Sequence, residues 1–181
     1  MSKITIENIV SYAQVANGLD IEKIAEQLPE FSYSPNEFLG LTLKLDDPKT
    51  AVLLLPSGKV ICTGAKNLED AKTSIFQLID KIKNVKTETI KDIEVKVQNI
   101  VASTSFEKEL HLSSISKGLL FDHVDYEPKY FPGLIYKMED IGASVILFSS
   151  GKVVCTGTKS IEDASGAIET IKEKLLSLGA L

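Results

Sequence analysis

The chain has 181 residues, of which 44% are hydrophobic and 25% charged, and its formal net charge is −5. This length allows one large domain or two of about 90 residues, and the balanced composition excludes disordered, collagen-like and fibrous chains. The sequence contains no apolar run of the roughly 20 residues that a membrane span needs, no predicted secretory signal, and too few cysteines for a disulfide framework, so we expect a reducing, intracellular protein. Its acidity argues against a generic polyanion binder, so any nucleic-acid function would depend on where the lysines lie.

The first half of the chain predicts five strands and two helices. ITIENIV places β-branched residues at period two, which is typical of a strand. Ile21, Ile24, Ala25 and Leu28 form one apolar helix stripe, and Asp20 can cap that helix. A short strand around Tyr33 and strands at about 40–46, 50–55 and 59–63 follow, with a type I turn at 55–58. A long helix is predicted to begin after Asn67, with an apolar face made by Ala71, Ile75, Leu78, Ile79 and Ile82.

The second half repeats this order. VKVQNIVAS predicts a strand, and HLSSISKGLL predicts a poorer helix because its serines and Gly118 weaken it. A short strand around Tyr126 and strands at 133–139, 143–148 and 152–156 come next. The final helix is predicted to begin after Ser160, with an apolar face made by Ala164, Ile168, Ile171 and Leu175.

Self-comparison shows that the chain is a tandem duplication. SGKVICTGAK at 57–66 matches SGKVVCTGTK at 150–159, and residues 33–71 match 126–164 with 20 identities in 39 pairs. ENIV at 7–10 also matches QNIV at 98–101. We therefore predict a first repeat at 1–83, a linker at 84–93 and a second repeat at 94–181, integrated into one pseudo-two-fold domain.

Four consecutive strands in each repeat predict an antiparallel meander whose one face is covered by two helices. Both faces of these strands are apolar, as in Val52-Leu53-Leu54-Leu55 and Val145-Ile146-Leu147-Phe148. One explanation is a sandwich, with a further layer on the second face. The other is a large apolar binding surface edged by lysines.

The duplicated N-[IV]-V strands, F-x-G-[IL] turns and S-G-K-x-x-x-T-G-x-K hairpins resemble the TATA-box-binding protein family, and the archaeal members in particular. The resemblance covers nearly the whole chain. It implies an α+β fold, a saddle built from two β-α-β-β-β-β-α repeats, with a ten-stranded antiparallel curved sheet and four helices on its convex face. The concave face of that saddle would bind DNA.

The resemblance implies DNA-contacting residues in both repeats. In the first repeat they are Asn8, Val10, Phe38, Lys44, Leu53, Leu55, Ser57, Lys59, Ile61, Thr63 and Lys66. In the second they are Asn99, Val101, Phe131, Lys137, Ile146, Phe148, Ser150, Lys152, Val154, Thr156 and Lys159.

These residues have three implied roles. The asparagines and threonines would donate hydrogen bonds to adenine N3 and thymine O2, while valine and isoleucine side chains exclude the guanine amino group. Phe38 with Leu55, and Phe131 with Phe148, would wedge between base steps and kink the duplex. The lysines and the two serines would contact the sugar-phosphate backbone.

The sequence departs from the family pattern at several positions. Leu55 stands where a phenylalanine is expected, and Lys44 and Lys137 stand where arginine is frequent. Leu39 replaces the proline seen at Pro132. Ile141-Gly142 replaces Pro48-Lys49, which leaves the geometry of that hairpin open.

An enzyme is not expected. The sequence shows no nucleophile elbow, phosphate loop or metal-ligand spacing, and His111 and His123 have no catalytic companions. Cys62 and Cys155 occupy equivalent strand positions and are predicted to be buried, reduced and apolar. We therefore predict no catalytic residue, no metal and no cofactor.

The function implied by the resemblance is a general transcription initiation factor that binds TATA-box duplex DNA in the minor groove. The implied partners are that DNA, transcription factor B and, through it, RNA polymerase, with Glu127 and Tyr130 as factor-contacting residues and no membrane. The implied location is the archaeal cytoplasm, at the nucleoid. The alternatives are a lipid- or small-ligand-binding module on a curved sheet, and a related domain that serves a nuclease or glycosylase.

Overall fold

The computed structural model describes residues 3–85, 88–119 and 123–181. The first repeat contains β1 (Thr5–Gln14), α1 (Ile21–Gln27), β2 (Ser32–Ser34), β3 (Phe38–Asp46), β4 (Lys49–Leu54), β5 (Lys59–Ala65) and α2 (Leu68–Asn84). The second contains β6 (Lys96–Ser105), α3 (Leu112–Gly118), β7 (Val124–Asp125), β8 (Leu134–Met138), β9 (Ala143–Leu147), β10 (Lys152–Thr158) and α4 (Ile161–Ser177). The β-α-β-β-β-β-α order of each repeat is therefore confirmed.

The strands of the described residues belong to one ten-stranded antiparallel sheet, in the order β2-β3-β4-β5-β1-β6-β10-β9-β8-β7. With its four helices, this sheet confirms the predicted α+β fold class. The chain forms two compact units, Asn8–Gln98 and Met1–Glu7 with Asn99–Leu181. The boundaries predicted at 83 and 94 stay a prediction, and Lys86 and Thr87 of the predicted linker lie outside the described residues.

Each unit has its own hydrophobic core between strands and helices. In the first repeat, Val52, Leu54 and Val60 of the sheet pack with Ile75 and Leu78 of α2, and all of them are fully buried. In the second, the equivalent strand positions pack with Ile168 and Ile171 of α4. The helices cover one face of their strands because their apolar stripes need a partner.

Side chains that alternate with these core residues lie on the opposite face, here called the open face. Along β1, Ile9, Ser11 and Ala13 are buried, whereas Asn8 and Val10 are partly exposed. The same alternation holds in β4 and β5 and in their counterparts β9 and β10. Among the described residues no further layer covers this face, which excludes the sandwich explanation.

The predicted helix starts are confirmed, and a side chain closes three of them. Asp20 accepts from the N–H of Lys23 at 3.1 Å, Asn67 from that of Asp70 at 2.8 Å, and Ser160 from that of Asp163 at 3.0 Å. These bonds satisfy donors that a helix leaves unpaired at its first turn. The weaker helix α3, Leu112–Gly118, has no such cap. Leu120, the last residue of the segment HLSSISKGLL, lies outside the described residues.

The structure differs from the sequence-based expectations in two places. The short strand expected around Tyr126 is Val124–Asp125, one residue before it. The turn of the β8–β9 hairpin has four residues, 139–142. The equivalent β3–β4 turn has two, Asp47 and Pro48. Gly142, with φ +66°, accommodates the longer turn without the proline.

Candidate nucleic-acid interface

The open face of the first repeat carries a row of side chains that crosses four strands. Tyr12 pairs with Ile61, Ile61 with Leu53, and Leu53 with Thr42. In the second repeat the corresponding row runs Ser103, Val154, Ile146 and Ile135. Because directly opposed residues share a face, each row is one continuous and mostly apolar band.

Asn8 has a fixed orientation at one end of the first repeat's open face. Its Oδ1 accepts from the backbone N–H of Gly64 at 2.7 Å, and its Nδ2 donates to Thr63 Oγ1 at 3.1 Å. Since a backbone N–H can only donate, the amide oxygen must face Gly64. Nδ2 has two N–H groups, and only one of them donates to a described residue. The second N–H can donate to an acceptor on a ligand.

Asn99 repeats this arrangement. Its Oδ1 accepts from the N–H of Gly157 at 2.7 Å, and its Nδ2 donates to Thr156 Oγ1 at 3.1 Å. Gly64 and Gly157 have φ of +95° and +94°, a backbone conformation that favours glycine, and this turns their N–H groups towards the asparagines. The T-G pair in the repeated T-G-x-K motif thus supplies both partners of each asparagine.

Phe38 and Phe131 are exposed, and their rings lie back on the glycine two residues later. A Cβ on Gly40 would come within 2.4 Å of the Phe38 ring, and one on Gly133 within 2.7 Å of the Phe131 ring. In the F-x-G motif, the absence of a side chain on the glycine therefore lets each ring pack against the backbone. Beside Phe131, the ring of Phe148 lies at a centroid distance of 6.0 Å and an angle of 65°, an edge-to-face pair. Leu55 takes the equivalent position in the first repeat.

The turn after Leu55 is held tightly. The N–H of Gly58 donates to Leu55 O at 2.9 Å, as expected for the predicted turn. Gln14 Nε2 donates to both Ala16 O at 2.6 Å and Ser57 O at 2.7 Å, so it ties the turn to β1. Gly58 cannot carry a side chain, because a Cβ would lie 2.1 Å from Ala16 O.

The positively charged residues predicted to contact phosphate are all lysines, since the chain contains no arginine. Five of the six are exposed, namely Lys44, Lys66, Lys137, Lys152 and Lys159. Lys59 is partly buried, and its Nζ lies 4.7 Å from the centre of the Tyr12 ring. Ser57 and Ser150 accept long bonds from the N–H of Lys59 and Lys152, at 3.4 Å each, so they support the backbone next to these lysines.

Tyr12 and Gln14 are two residues of this face that the sequence-based prediction missed, and Thr42, Ser103 and Ile135 of the two rows are others. Tyr12 and Gln14 follow Asn8 and Val10 at period two in the same strand, so the alternation already assigns them to the open face. They lie beyond the N-[IV]-V motif, which ends at Val10.

Glu127 and Tyr130 lie together in the β7–β8 loop. Glu127 O accepts from the N–H groups of Tyr130 at 2.9 Å and Phe131 at 3.0 Å, which closes a turn. Tyr130 is 88% exposed, more than a large aromatic side chain usually is, and Glu127 is also exposed. This loop therefore presents a ring and a carboxylate to solvent directly before Phe131.

Cys62 and Cys155 are free and buried, in agreement with the sequence-based prediction. Burial raises the pKa of the Cys155 thiol to about 11. Burial also raises the pKa of Cys62, although the neighbouring hydroxyl groups of Ser74, Thr50 and Ser11 oppose that increase. Among the described residues no cluster of His, Cys, Asp and Glu could hold a metal ion, and no helix is long and apolar enough to cross a membrane.

Comparison with known proteins decides the family. The sequence model described as transcription factor TFIID, or TATA-binding protein, matches residues 3–85 and again residues 94–178. The chain belongs to the TATA-binding protein family. This family consists of DNA-binding transcription factors and not of enzymes, and the two matches confirm the internal duplication.

Several archaeal proteins match the chain along almost its whole length. It is 47% identical over 179 residues to the TATA-box-binding protein of Thermoplasma volcanium, covering 99% of this chain and 97% of that one. It is 43% identical to that of Archaeoglobus fulgidus, covering 99% and 98%. The solved structure of the Methanococcus jannaschii protein superimposes with a TM-score of 0.87 at 39% identity, covering 97% of this chain and 99% of the other.

Proposed function

We propose that the chain is a general transcription initiation factor that binds A·T-rich promoter DNA through the minor groove. The observation that carries this proposal is the repeated Asn–Thr–Gly arrangement. In each repeat, a glycine N–H fixes the asparagine so that Nδ2 faces outward. Adenine N3 and thymine O2 are acceptors and need such donors, whereas a guanine amino group would meet a second donor.

The surroundings of these donors fit a minor groove. Val10 and Val101 follow Asn8 and Asn99 two residues later on the open face. Ile61 and Val154 lie further along the same face, opposite Tyr12 and Ser103. All four are partly exposed and offer no acceptor to the guanine amino group. An apolar surface with few donors discriminates by leaving that amino group unpaired.

Three aromatic side chains support bending. Phe38 and Phe131 are exposed, Phe148 is partly buried, and all three lie at turns or strand ends outside the two cores, so they can enter a base step without breaking a core. We propose that they unstack the duplex, and that the additional contact with protein offsets the cost of the kink. Glu127 and Tyr130 are proposed to contact transcription factor B, which would in turn recruit RNA polymerase. The proposed location is the nucleoid of an archaeal cytoplasm.

The family favours this function over a lipid- or small-ligand-binding module and over a domain that serves a nuclease or glycosylase. A binding assay with three duplexes tests it: a TATA-box duplex, one with G·C replacements, and one with inosine·C at the same positions. Inosine lacks the 2-amino group, so inosine·C resembles A·T in the minor groove and G·C in the major groove.

We expect the protein to bind the TATA and inosine·C duplexes with similar affinity and the G·C duplex much more weakly. Loss of binding to the inosine·C duplex would place the readout in the major groove and contradict the proposal. Adding transcription factor B should give a slower-migrating complex with the wild type. A Tyr130→Ala variant that forms this complex as well as the wild type would remove that residue from the factor contact.

A further inference from the structure

Tyr12 lies on the open face of the first repeat, next to residues proposed to contact DNA. Its neighbours Ser11 and Ala13 are almost fully buried, so its ring points away from the helices. Tyr12 pairs with Ile61 across β1 and β5, which places it in the apolar band that includes Leu53. Its ring therefore forms part of the same surface as the proposed groove-contacting residues.

Lys59 lies over this ring. Its Nζ is 4.7 Å from the ring centre, within the range of a cation–π contact, and both side chains are partly buried. The contact restricts a lysine side chain that would otherwise move through many rotamers, so the ammonium group is already positioned when a ligand arrives. The chain thus presents a fixed positive charge beside an aromatic ring with a hydroxyl group.

The second repeat has no counterpart of this pair. Ser103 occupies the position of Tyr12, pairs with Val154, and is only 8% exposed. Its hydroxyl donates to Glu7 at 2.5 Å and is therefore already used inside the protein. No described aromatic ring lies under Lys152, the counterpart of Lys59. The pair is a property of the first repeat alone.

The position of the pair favours the sugar-phosphate backbone over the bases. Tyr12 is four residues from Asn8 along an extended strand, or roughly 13 Å at about 3.3 Å per residue. It lies at the end of the strand next to the Ser57–Gly58 turn, where Gln14 and Lys59 also lie. A positive charge at this end matches phosphate oxygens, whereas the uncharged Val10 and Asn8 are the residues proposed to face the groove floor.

We propose that Tyr12 and Lys59 form a backbone-binding pair for duplex DNA, present only in the first repeat. Lys59 binds a phosphate, the Tyr12 ring packs on the adjacent deoxyribose, and the Tyr12 hydroxyl donates to a phosphate oxygen. This inference rests on the proposed function and adds a contact that is independent of base sequence. The first repeat, which has Leu55 where a phenylalanine is expected, thereby gains an additional contact with the DNA backbone.

Three variants and one control test the pair. Tyr12→Ser introduces the residue of the second repeat, Tyr12→Leu keeps apolar bulk without ring or hydroxyl, and Tyr12→Phe removes the hydroxyl alone. Phe76→Ser is the matched control, because Phe76 is a 45% exposed aromatic residue of α2, outside the sheet. Affinity for the TATA and G·C-substituted duplexes is measured for each, after thermal unfolding has shown that the variant is folded.

We expect Tyr12→Ser and Tyr12→Leu to weaken binding to both duplexes by the same factor, on the order of tenfold, as for one lost charge-assisted hydrogen bond and its packing. Tyr12→Phe should lose less, and Phe76→Ser nothing. In a Lys59→Met background the effect of Tyr12→Leu should shrink by about two- to fivefold, the strength of an exposed cation–π contact. If the Tyr12→Ser variant does not fold, the affinity of the Tyr12→Leu variant tests the proposal in its place.

Two outcomes would overturn the pair. Unchanged affinity of folded Tyr12→Leu would show that the ring only covers the sheet, and a loss confined to the TATA duplex would place Tyr12 at the bases. Failure of the proposed function is recognised separately, because the wild type itself would then not prefer the TATA duplex over the G·C one.

Discussion

Thr50 and Ser74 share a buried hydrogen bond of 2.8 Å that joins β4 to α2 in the core of the first repeat. Ser74 Oγ also lies 2.7 Å from Asp70 O, and Thr50 Oγ1 lies 3.3 Å from Pro48 O, so either hydroxyl can supply the proton of the bond between them. In the second repeat the equivalent positions hold Ala143 and Ala167, both buried. The same fold therefore accepts either a hydrogen-bonded polar pair or two small apolar residues at this place.

This difference predicts a non-additive effect on stability. Thr50→Ala and Ser74→Ala should each cost about 1 kcal/mol, because each removes a buried hydrogen bond. The double variant should cost less than the sum, with a coupling of at least about 0.5 kcal/mol, because it leaves no unpaired partner and reproduces the second repeat. Denaturant unfolding of the four proteins measures the cycle, and strictly additive losses would show that the hydroxyls do not stabilise each other.

The raised pKa of Cys155 predicts a pH dependence of stability. An unfolded thiol ionises near pH 8.5, whereas the folded one keeps its proton until about pH 11. Above about pH 8.5 the unfolded state releases the proton first, so the free energy of unfolding should fall as the pH rises towards 11. Cys155→Ala should show a smaller fall between pH 8 and 10 than the wild type, and parallel curves would contradict the assignment.

The strand and helix pattern could be predicted because the duplication presents each element in two different sequences. Where one sequence is a poor indicator, as in the serine-rich α3, its counterpart in the other repeat, α1, indicates the helix. The β8–β9 turn could not be placed, because Ile141-Gly142 specifies no single turn type in the way that Pro48 does. Tyr12 was missed for another reason: its partner Lys59 is 47 positions away, and only the β1–β5 register brings the two together.

The fixed orientation of Asn99 predicts its contribution to specificity. Asn99→Ala removes an outward donor together with the bonds to Gly157 and Thr156. Binding to the TATA duplex should weaken by roughly 1–3 kcal/mol more than binding to random-sequence DNA. Asn84→Ala, an exposed substitution at the end of α2, serves as the control in the same titration. An equal loss on both DNAs would exclude Asn99 from base readout.

The lysines predict a salt dependence despite the acidic net charge. Each phosphate contact releases counterions, so the logarithm of the binding constant should fall linearly with the logarithm of the salt concentration, by about 0.9 per contact. Lys152→Ala should weaken binding to every sequence and reduce the slope by about one such step. Lys72→Ala on α2, whose Nζ pairs with Glu69 at 3.1 Å, should leave the slope unchanged. A wild-type binding constant that is indifferent to salt would contradict the phosphate contacts.

Leu55 predicts an asymmetric bend. The second repeat has the edge-to-face pair Phe131–Phe148, whereas the first repeat has Leu55 at the sequence position equivalent to Phe148. An aromatic ring covers more of an unstacked base, so the kink under the first repeat should be shallower. Leu55→Phe should strengthen binding by roughly 0.5–1.5 kcal/mol or increase the bend, and Phe148→Leu should do the reverse. Energy transfer between dyes at the two ends of a TATA duplex measures the bend. If Phe148→Leu impairs both quantities while Leu55→Phe changes neither, Leu55 does not act as a wedge, and the first repeat bends its DNA through Phe38 alone.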